Sequence, residues 1–138
     1  MNDDREAVQA VLRAFDEALA GGDAASYAAT FAPDGRLLLL YSDALEGRAA
    51  IHDDSLATFA TWDTSAWRTS LVTLDVCGDR AWSLSTYTET LVRHDDGRRR
   101  VIAGRILRIL RREPDGWRVE VAMNAHSQRA EELPPAAG

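Results

Sequence analysis

Four side chains in the C-terminal half of the sequence are of types that move protons or hold charge: Tyr87, Glu89, Arg105 and His126. Histidine titrates near neutrality, so it serves as general acid or base without large tuning. His126 closes the last apolar run, 117–127. The alternative reading is a structural histidine at a strand end or a subunit contact. Arg105 interrupts the apolar run 101–110. A guanidinium inside such a run must be paired or line a wet cavity, because a lone buried charge is costly. It would bind a carboxylate or an enolate oxygen. The competing reading is a structural ion pair, with Glu89 on a neighbouring strand as its partner. Tyr87 and Glu89 share one face of a strand, since side chains alternate with period two. Burial among Thr and Leu would raise the Glu89 pKa toward a useful acid–base range. The opposite face carries Trp82, Leu84, Thr86 and Thr88. Alternation alone therefore leaves open which face is core, and a solvated Tyr87/Glu89 face stands beside the functional one.

Tyr41, Trp62, Trp67, Met123 and Asn124 are the candidate pocket-lining residues. Aromatic side chains fill cores more often than they grip ligands. Asn124 has the strand parity of His126 and shares its cavity unless a bulge intervenes. His52-Asp53-Asp54 resembles a metal-binding patch. His94 falls in a hairpin and His126 far along the chain, however, so no spacing signature supports a metal and none is expected. The basic run 98–100 reads as a solvated hairpin tip. GxGxxG and GxSxG motifs are absent, which leaves dinucleotide binding and the hydrolase elbow without support. No cofactor is expected.

Composition narrows the classes further. The 138 residues are 46% apolar, as expected for one globular domain with a core of its own. Acidic residues outnumber basic ones 22 to 16, for a net charge of -6, against the basic surplus of a nucleic-acid binder. All 16 basic residues are arginine. Without lysine there is no Schiff-base chemistry, no lysine-anchored pyridoxal phosphate and no Walker A lysine. The single cysteine, Cys77, allows neither an internal disulfide nor a cysteine zinc cage. The start, MNDDREAV, is acidic where a signal peptide would be basic and then apolar. No apolar run approaches the roughly 18 residues of a membrane span. The expectation is a soluble cytoplasmic protein with neither nucleic acid nor membrane as partner.

These residues need elements to hold them. Asp3 or Asp4 can cap a first helix whose Val8, Val11, Leu12, Phe15 and Leu19 form one apolar face. Gly21 and Gly22 stop it. Asp23 caps a shorter second helix carrying Tyr27 and Phe31, and Pro33-Asp34-Gly35 reads as a turn. Four consecutive leucines within 36–41 predict a strand buried on both faces. A third helix is predicted over 48–61, with Ile51, Ser55, Phe59 and Trp62 along one side. Strands are predicted over 67–76, 80–93, 99–112 and 117–127, separated by Gly-Asp, Asp-Asp-Gly and Pro-Asp-Gly turns. Residues 1–130 read as a single domain and 131–138 as a mobile Pro/Ala-rich tail. Segregated helices and strands predict an α+β domain. A strongly curved, mostly antiparallel sheet with helices across its concave side would enclose a pocket.

The stretches FDEALAGGDAASYAATFAPDG (15–35), GRAAI (47–51), GDRAW (78–82), GRILRILRR (104–112) and DGWRV (115–119), with His126 and Ser127, carry a family resemblance. In this order they resemble the SnoaL-like branch of the nuclear-transport-factor-2-like superfamily, whose cone-shaped fold also contains ketosteroid isomerase. The resemblance implies three N-terminal helices on a curled sheet, a pocket behind His126 and a homodimer formed by the outer sheet face. It also implies cofactor-independent proton-transfer chemistry (cyclisation, isomerisation or dehydration) on a small hydrophobic metabolite. A non-catalytic ligand binder and an assembly module of the same fold remain open beside it. In ketosteroid isomerase a tyrosine of the first helix forms the oxyanion hole and an aspartate of the first strand is the base. By the GGD and FAPDG landmarks those places fall on Phe15 and Leu39. Phenylalanine cannot donate a hydrogen bond and leucine cannot take a proton, so that mechanism is not expected here.

Overall fold

The computed structural model describes residues 2–137. The first helix, α1 (Asn2–Gly21), has Asp3 and Asp4 in its first turn, where they oppose the positive end of the helix dipole. Val8, Leu12 and Phe15 recur every three or four residues and are fully buried, as the helical period requires. Gly22, at φ 65°, ends the helix in the left-handed region that glycine adopts without steric cost. The Asp23 carboxylate then accepts from the Ser26 amide (3.0 Å) and hydroxyl (2.7 Å), which caps α2 (Ala24–Ala29). Phe31, expected on this helix, lies beyond its end at Thr30 and opens the first strand instead. The third helix, α3 (Arg48–Thr61), occupies the predicted span and buries Ile51 and Ser55.

The strands are β1 (Phe31–Leu38), β2 (Leu45–Glu46), β3 (Trp62–Asp63), β4 (Arg68–Cys77), β5 (Arg80–Arg93), β6 (Arg99–Glu113), β7 (Gly116–His126) and β8 (Glu131–Leu133). They form one mixed sheet in the order β2-β1-β7-β6-β5-β3. In addition, β4 pairs with β5 and β8 with β6. Among the described residues only the β1–β7 contact is parallel. The sheet curls strongly into a half-barrel with the helices packed against it, the α+β cone expected from the sequence. Ala81, Ser83, Ser85, Tyr87 and Leu91 of β5 face inward, while Trp82, Thr86 and Thr88 are exposed on the outside. The helices thus decide what alternation left open: Tyr87 and Glu89 lie on the covered face.

A bulge in β7 sets the rest of the inner surface. Leu110 pairs with Val119 and Ile109 with Val121, so Glu120 has no partner across the ladder. Before the bulge Trp117 and Val119 are buried, and after it Ala122 is.

Three expectations are corrected. Pro33-Asp34-Gly35 is not a free turn but an irregular step inside β1, between the Phe31–Val119 and Arg36–Val121 pairs. Gly35 is needed there because a Cβ would stand 2.9 Å from the Val119 carbonyl oxygen. The leucine run is not buried on both faces, since helices cover only one of them: Leu37 is buried, Leu40 is exposed and Tyr41 is 91% exposed. The 131–138 tail, expected to be mobile, carries β8, whose Glu131, Glu132 and Leu133 pair with Val101, Arg100 and Arg99. The Arg100 guanidinium also pairs with the Glu132 carboxylate.

Candidate functional site

Two connected chambers lie between the helices and the inner sheet face. The inner one, of about 140 Å³, is walled by Phe15, Leu37, Trp67, Leu91 and Ile106. The outer one, of about 550 Å³, opens past Tyr41, Arg100 and His126. Leu39, Glu89 and Asn124 belong to both and form the neck between them.

Glu89 is the one carboxylate of the neck. Burial disfavours its charged form and raises its pKa from 4.5 to about 7. Desolvation is the sole cause of this shift, so no neighbouring cation compensates. A carboxyl group poised near neutrality takes and returns a proton with little thermodynamic penalty in either direction.

Tyr87 lies two residues away on the same face and lines the outer chamber. Desolvation raises its pKa, the adjacent Asn124 side chain works against that, and the Glu89 charge adds to it. The phenol is therefore a proton donor at neutral pH. Its position depends on Gly104, directly opposite on β6. A Cβ there would stand 2.7 Å from the Tyr87 hydroxyl and 2.3 Å from the Ala125 carbonyl oxygen. Without that Cβ, the ring can lie across the sheet. His126 pairs with Gly104 from the other side, so Tyr87, Gly104 and His126 form one cross-strand row. The Tyr41 ring meets the His126 ring edge-on, with centroids 6.2 Å apart. Asn124 Oδ1 is buried without a hydrogen-bond partner, an acceptor left for a donor in the cavity. From α2, Tyr27 adds a phenol to the inner chamber, and burial raises its pKa further still.

Behind this row stands a polar brace. The Trp67 ring stacks on Tyr87, and its Nε1–H donates to Asp16 Oδ1 at 3.0 Å. Thr69 Oγ1 donates to Asp16 Oδ2 at 2.8 Å, and Arg108 Nη1 to Oδ1 at 2.9 Å. Arg108 is 1% exposed, and its guanidinium also covers the Phe15 ring, 4.9 Å from the centroid.

Residues 2–122 match the family described as SnoaL-like domain. The chain belongs to the SnoaL-like family. No curated protein sequence matches it. Among solved structures, this SnoaL-like chain is similar to a ketosteroid isomerase-like protein from Erwinia carotovora atroseptica SCRI1043. That match has 20% identity and a TM-score of 0.84, covering 94% of this chain and 100% of the other. It is also similar to an NTF2-like protein with a cystatin-like fold from Novosphingobium aromaticivorans, at 22% identity and a TM-score of 0.71, covering 91% and 83%. A conserved protein from Planctomyces limnophilus DSM 3776 superimposes with a TM-score of 0.81 at 15% identity, covering 91% and 99%. These likenesses establish the fold.

Within the SnoaL-like fold, the expected site residues divide. Tyr87, Glu89, Asn124 and His126 come together at the outer chamber with Tyr41, and Trp67 lines the inner one. Arg105 does not join them. It is exposed on the outer face, opposite Thr86 and Ala125, and so neither reaches the pocket nor pairs with Glu89. The inward arginine of that run is Arg108, three residues on and of opposite parity. Met123 is turned outward by the β7 bulge and is 42% exposed. Trp62 lies on β3 at the sheet edge, with the Arg93 and Arg100 guanidinium groups 5.8 and 5.0 Å from its ring. It backs the mouth residue Arg100 rather than the cavity. Phe15 and Leu39, the places inferred from ketosteroid isomerase, do fall on the cavity wall, where both are apolar. Asp54, set aside with the surface patch 52–54, lines the inner chamber from α3. The apolar residues every three or four positions along α3 pointed to that face. Among the described residues no group of three or more His, Cys, Asp or Glu is placed to hold a metal ion, and no helix is long and apolar enough to cross a membrane.

Proposed function

We propose that the protein is a cofactor-independent enzyme that moves a proton within a small, largely apolar carbonyl compound. The observation that carries this reading is Glu89, a desolvated carboxyl group with a pKa of about 7 at the neck of a largely apolar cavity. Ionised Glu89 takes a proton from the carbon next to the carbonyl. The C–H electron pair moves into the new C=C bond and the carbonyl π pair onto oxygen. Tyr87 donates a hydrogen bond to that oxygen as its charge develops. Where the substrate carries a β,γ C=C bond, the enolate pair re-forms C=O and Glu89 returns the proton to the γ carbon, giving the conjugated isomer. Where it carries a β hydroxyl, the enolate pair re-forms C=O and the C=C bond to the β carbon as hydroxide leaves, and hydroxide takes the proton from Glu89 to give water. His126, in the same outer chamber, exchanges the Glu89 proton with solvent.

The test is deuterium incorporation into small cyclic and aryl ketones in D₂O. The wild-type protein should accelerate it and Glu89→Gln should lower the rate by about 10²–10⁴-fold, the usual contribution of a general base. His126→Ala should cost about 10²-fold by the same reasoning. Equal rates in wild type and Glu89→Gln reject the assignment. Saturable ketone binding with no exchange from pH 5 to 9 identifies a binding protein instead.

The outer sheet face supports a homodimer. Trp82–Ile109–Val121 and Leu84–Leu107–Met123 form two apolar rows across β5, β6 and β7. Trp82 is 40% exposed, which leaves room for a second copy to bury it.

A further inference from the structure

The two chambers differ in size and lining, and the difference selects a substrate. The inner chamber has a volume of about 140 Å³; Phe15, Leu37, Leu91 and Ile106 form an apolar wall, and Asp54 and Thr58 of α3 line it as well. A protein cavity of about 150 Å³ accepts benzene, so this space matches one six-membered ring in volume. Phe15 and Ile106 are each 1% exposed and seated in the core, so the far wall cannot recede to admit more. The outer chamber holds Arg100, Glu132, Ser42 and His126 and suits a hydrated group.

We infer that the ligand of this site carries a single uncharged six-membered ring in the inner chamber, its carbonyl at the Glu89–Asn124 neck and any polar remainder toward His126 and Arg100. A second fused ring exceeds the volume of the inner chamber and would have to lie in the neck, against Leu39 and Asn124. The placement of the carbonyl rests on the proton-transfer reading. The ring size rests on the chamber alone.

Calorimetric titration with acetophenone and 2-acetylnaphthalene tests this. The two share an acetyl group and differ by one fused ring. Hydrophobicity alone favours the larger compound. Acetophenone should nevertheless bind at least about tenfold more tightly, the factor a misfit costing about 1.4 kcal/mol produces. Leu91→Phe should abolish acetophenone binding by filling the chamber, and Leu91→Ala should bring 2-acetylnaphthalene to within a few-fold of it. Equal or tighter binding of 2-acetylnaphthalene by wild type overturns the inference, as does absence of saturable acetophenone binding. Those titrations use unaltered protein, so they stand even if a variant fails to fold. Single-ring binding without deuterium exchange would reject the proton-transfer reading and leave ring selection intact. Exchange into the two-ring ketone with equal affinity would do the reverse.

Discussion

The Trp67 indole stacks on the Tyr87 ring with centroids 4.7 Å apart and planes 28° apart. The same indole donates its N–H to Asp16, which also receives Arg108. The helix carboxylate thereby holds a cavity wall and, through it, the phenol of the candidate site. Arg108 has almost no access to water, so removing its counter-charge leaves a buried cation alone. Asp16→Ala should therefore destabilise the fold by about 3–5 kcal/mol, whereas Arg108→Met, which removes the charge itself, should cost less. Urea denaturation at pH 7 of both variants measures the difference. Equal losses would mean that the pair acts through packing and not through charge.

Glu89 makes stability depend on pH in the direction opposite to an ordinary paired carboxylate. Its folded-state pKa, about 7, lies above the usual 4.5, so between those values the native state holds more protons than the unfolded one. Stability from this group is complete below about 4.5 and is lost as pH rises through about 7. The full shift corresponds to about 3 kcal/mol, an upper figure because the group is partly solvated. Glu89→Gln should thus be indistinguishable from wild type near pH 4.5 and more stable by up to about 3 kcal/mol at pH 8. Urea unfolding of both proteins at the two pH values gives the sign.

The same titration should shape activity. A base must be ionised, so kcat/KM for proton abstraction should rise about tenfold per pH unit below 7 and level off above it. A profile that falls through pH 7 would make Glu89 the acid of the reaction instead.

Gly104→Ala places a methyl group where the Tyr87 hydroxyl and the Ala125 carbonyl already stand. Because the carbonyl is backbone, β6 and β7 must part locally, and about 1–3 kcal/mol of stability should go. Tyr87→Phe in the Gly104→Ala background should recover part of that loss, because it removes the clashing oxygen. Thermal melts of the single and double variants read the recovery.

On the outer face, Trp82→Glu should prevent self-association while leaving ketone binding intact, since Trp82 faces away from both chambers. Light scattering across a concentration series, with titration of the same samples, separates the two properties. A wild-type protein that scatters as a monomer at every concentration would end the dimer reading.

Most of the architecture is legible in the sequence. The helix on 48–61, the Asp23 cap and the hairpins at the Gly-Asp and Asp-Gly turns are local features with local causes. Tyr87, Glu89 and His126 stood out because of their chemistry. What failed was phase. The rule that an arginine inside an apolar strand needs a partner holds for Arg108, but which arginine turns inward is set by the helix laid across the sheet, and nothing near Arg105 or Arg108 encodes that. Asp16 is separated from Arg108 by 92 residues, so no spacing links them. The β8 strand is three residues long, too short for any period, and takes its order from the β6 edge that it joins.

Glu120, which no residue opposes across the ladder, sets the phase of everything after it in β7. Odd-numbered residues of β7 face the core up to Val119, and even-numbered ones do from Ala122 onward. If the strand instead paired on past Val119 with Glu120 in the ladder, the odd-numbered residues would face inward throughout. Met123 and Ala125 would then turn inward and Asn124 and His126 outward, with every one of those side chains unaltered. The bulge, itself outside the cavity, thus chooses which of two sets of side chains lines it, and is as much a part of the site as the residues it delivers.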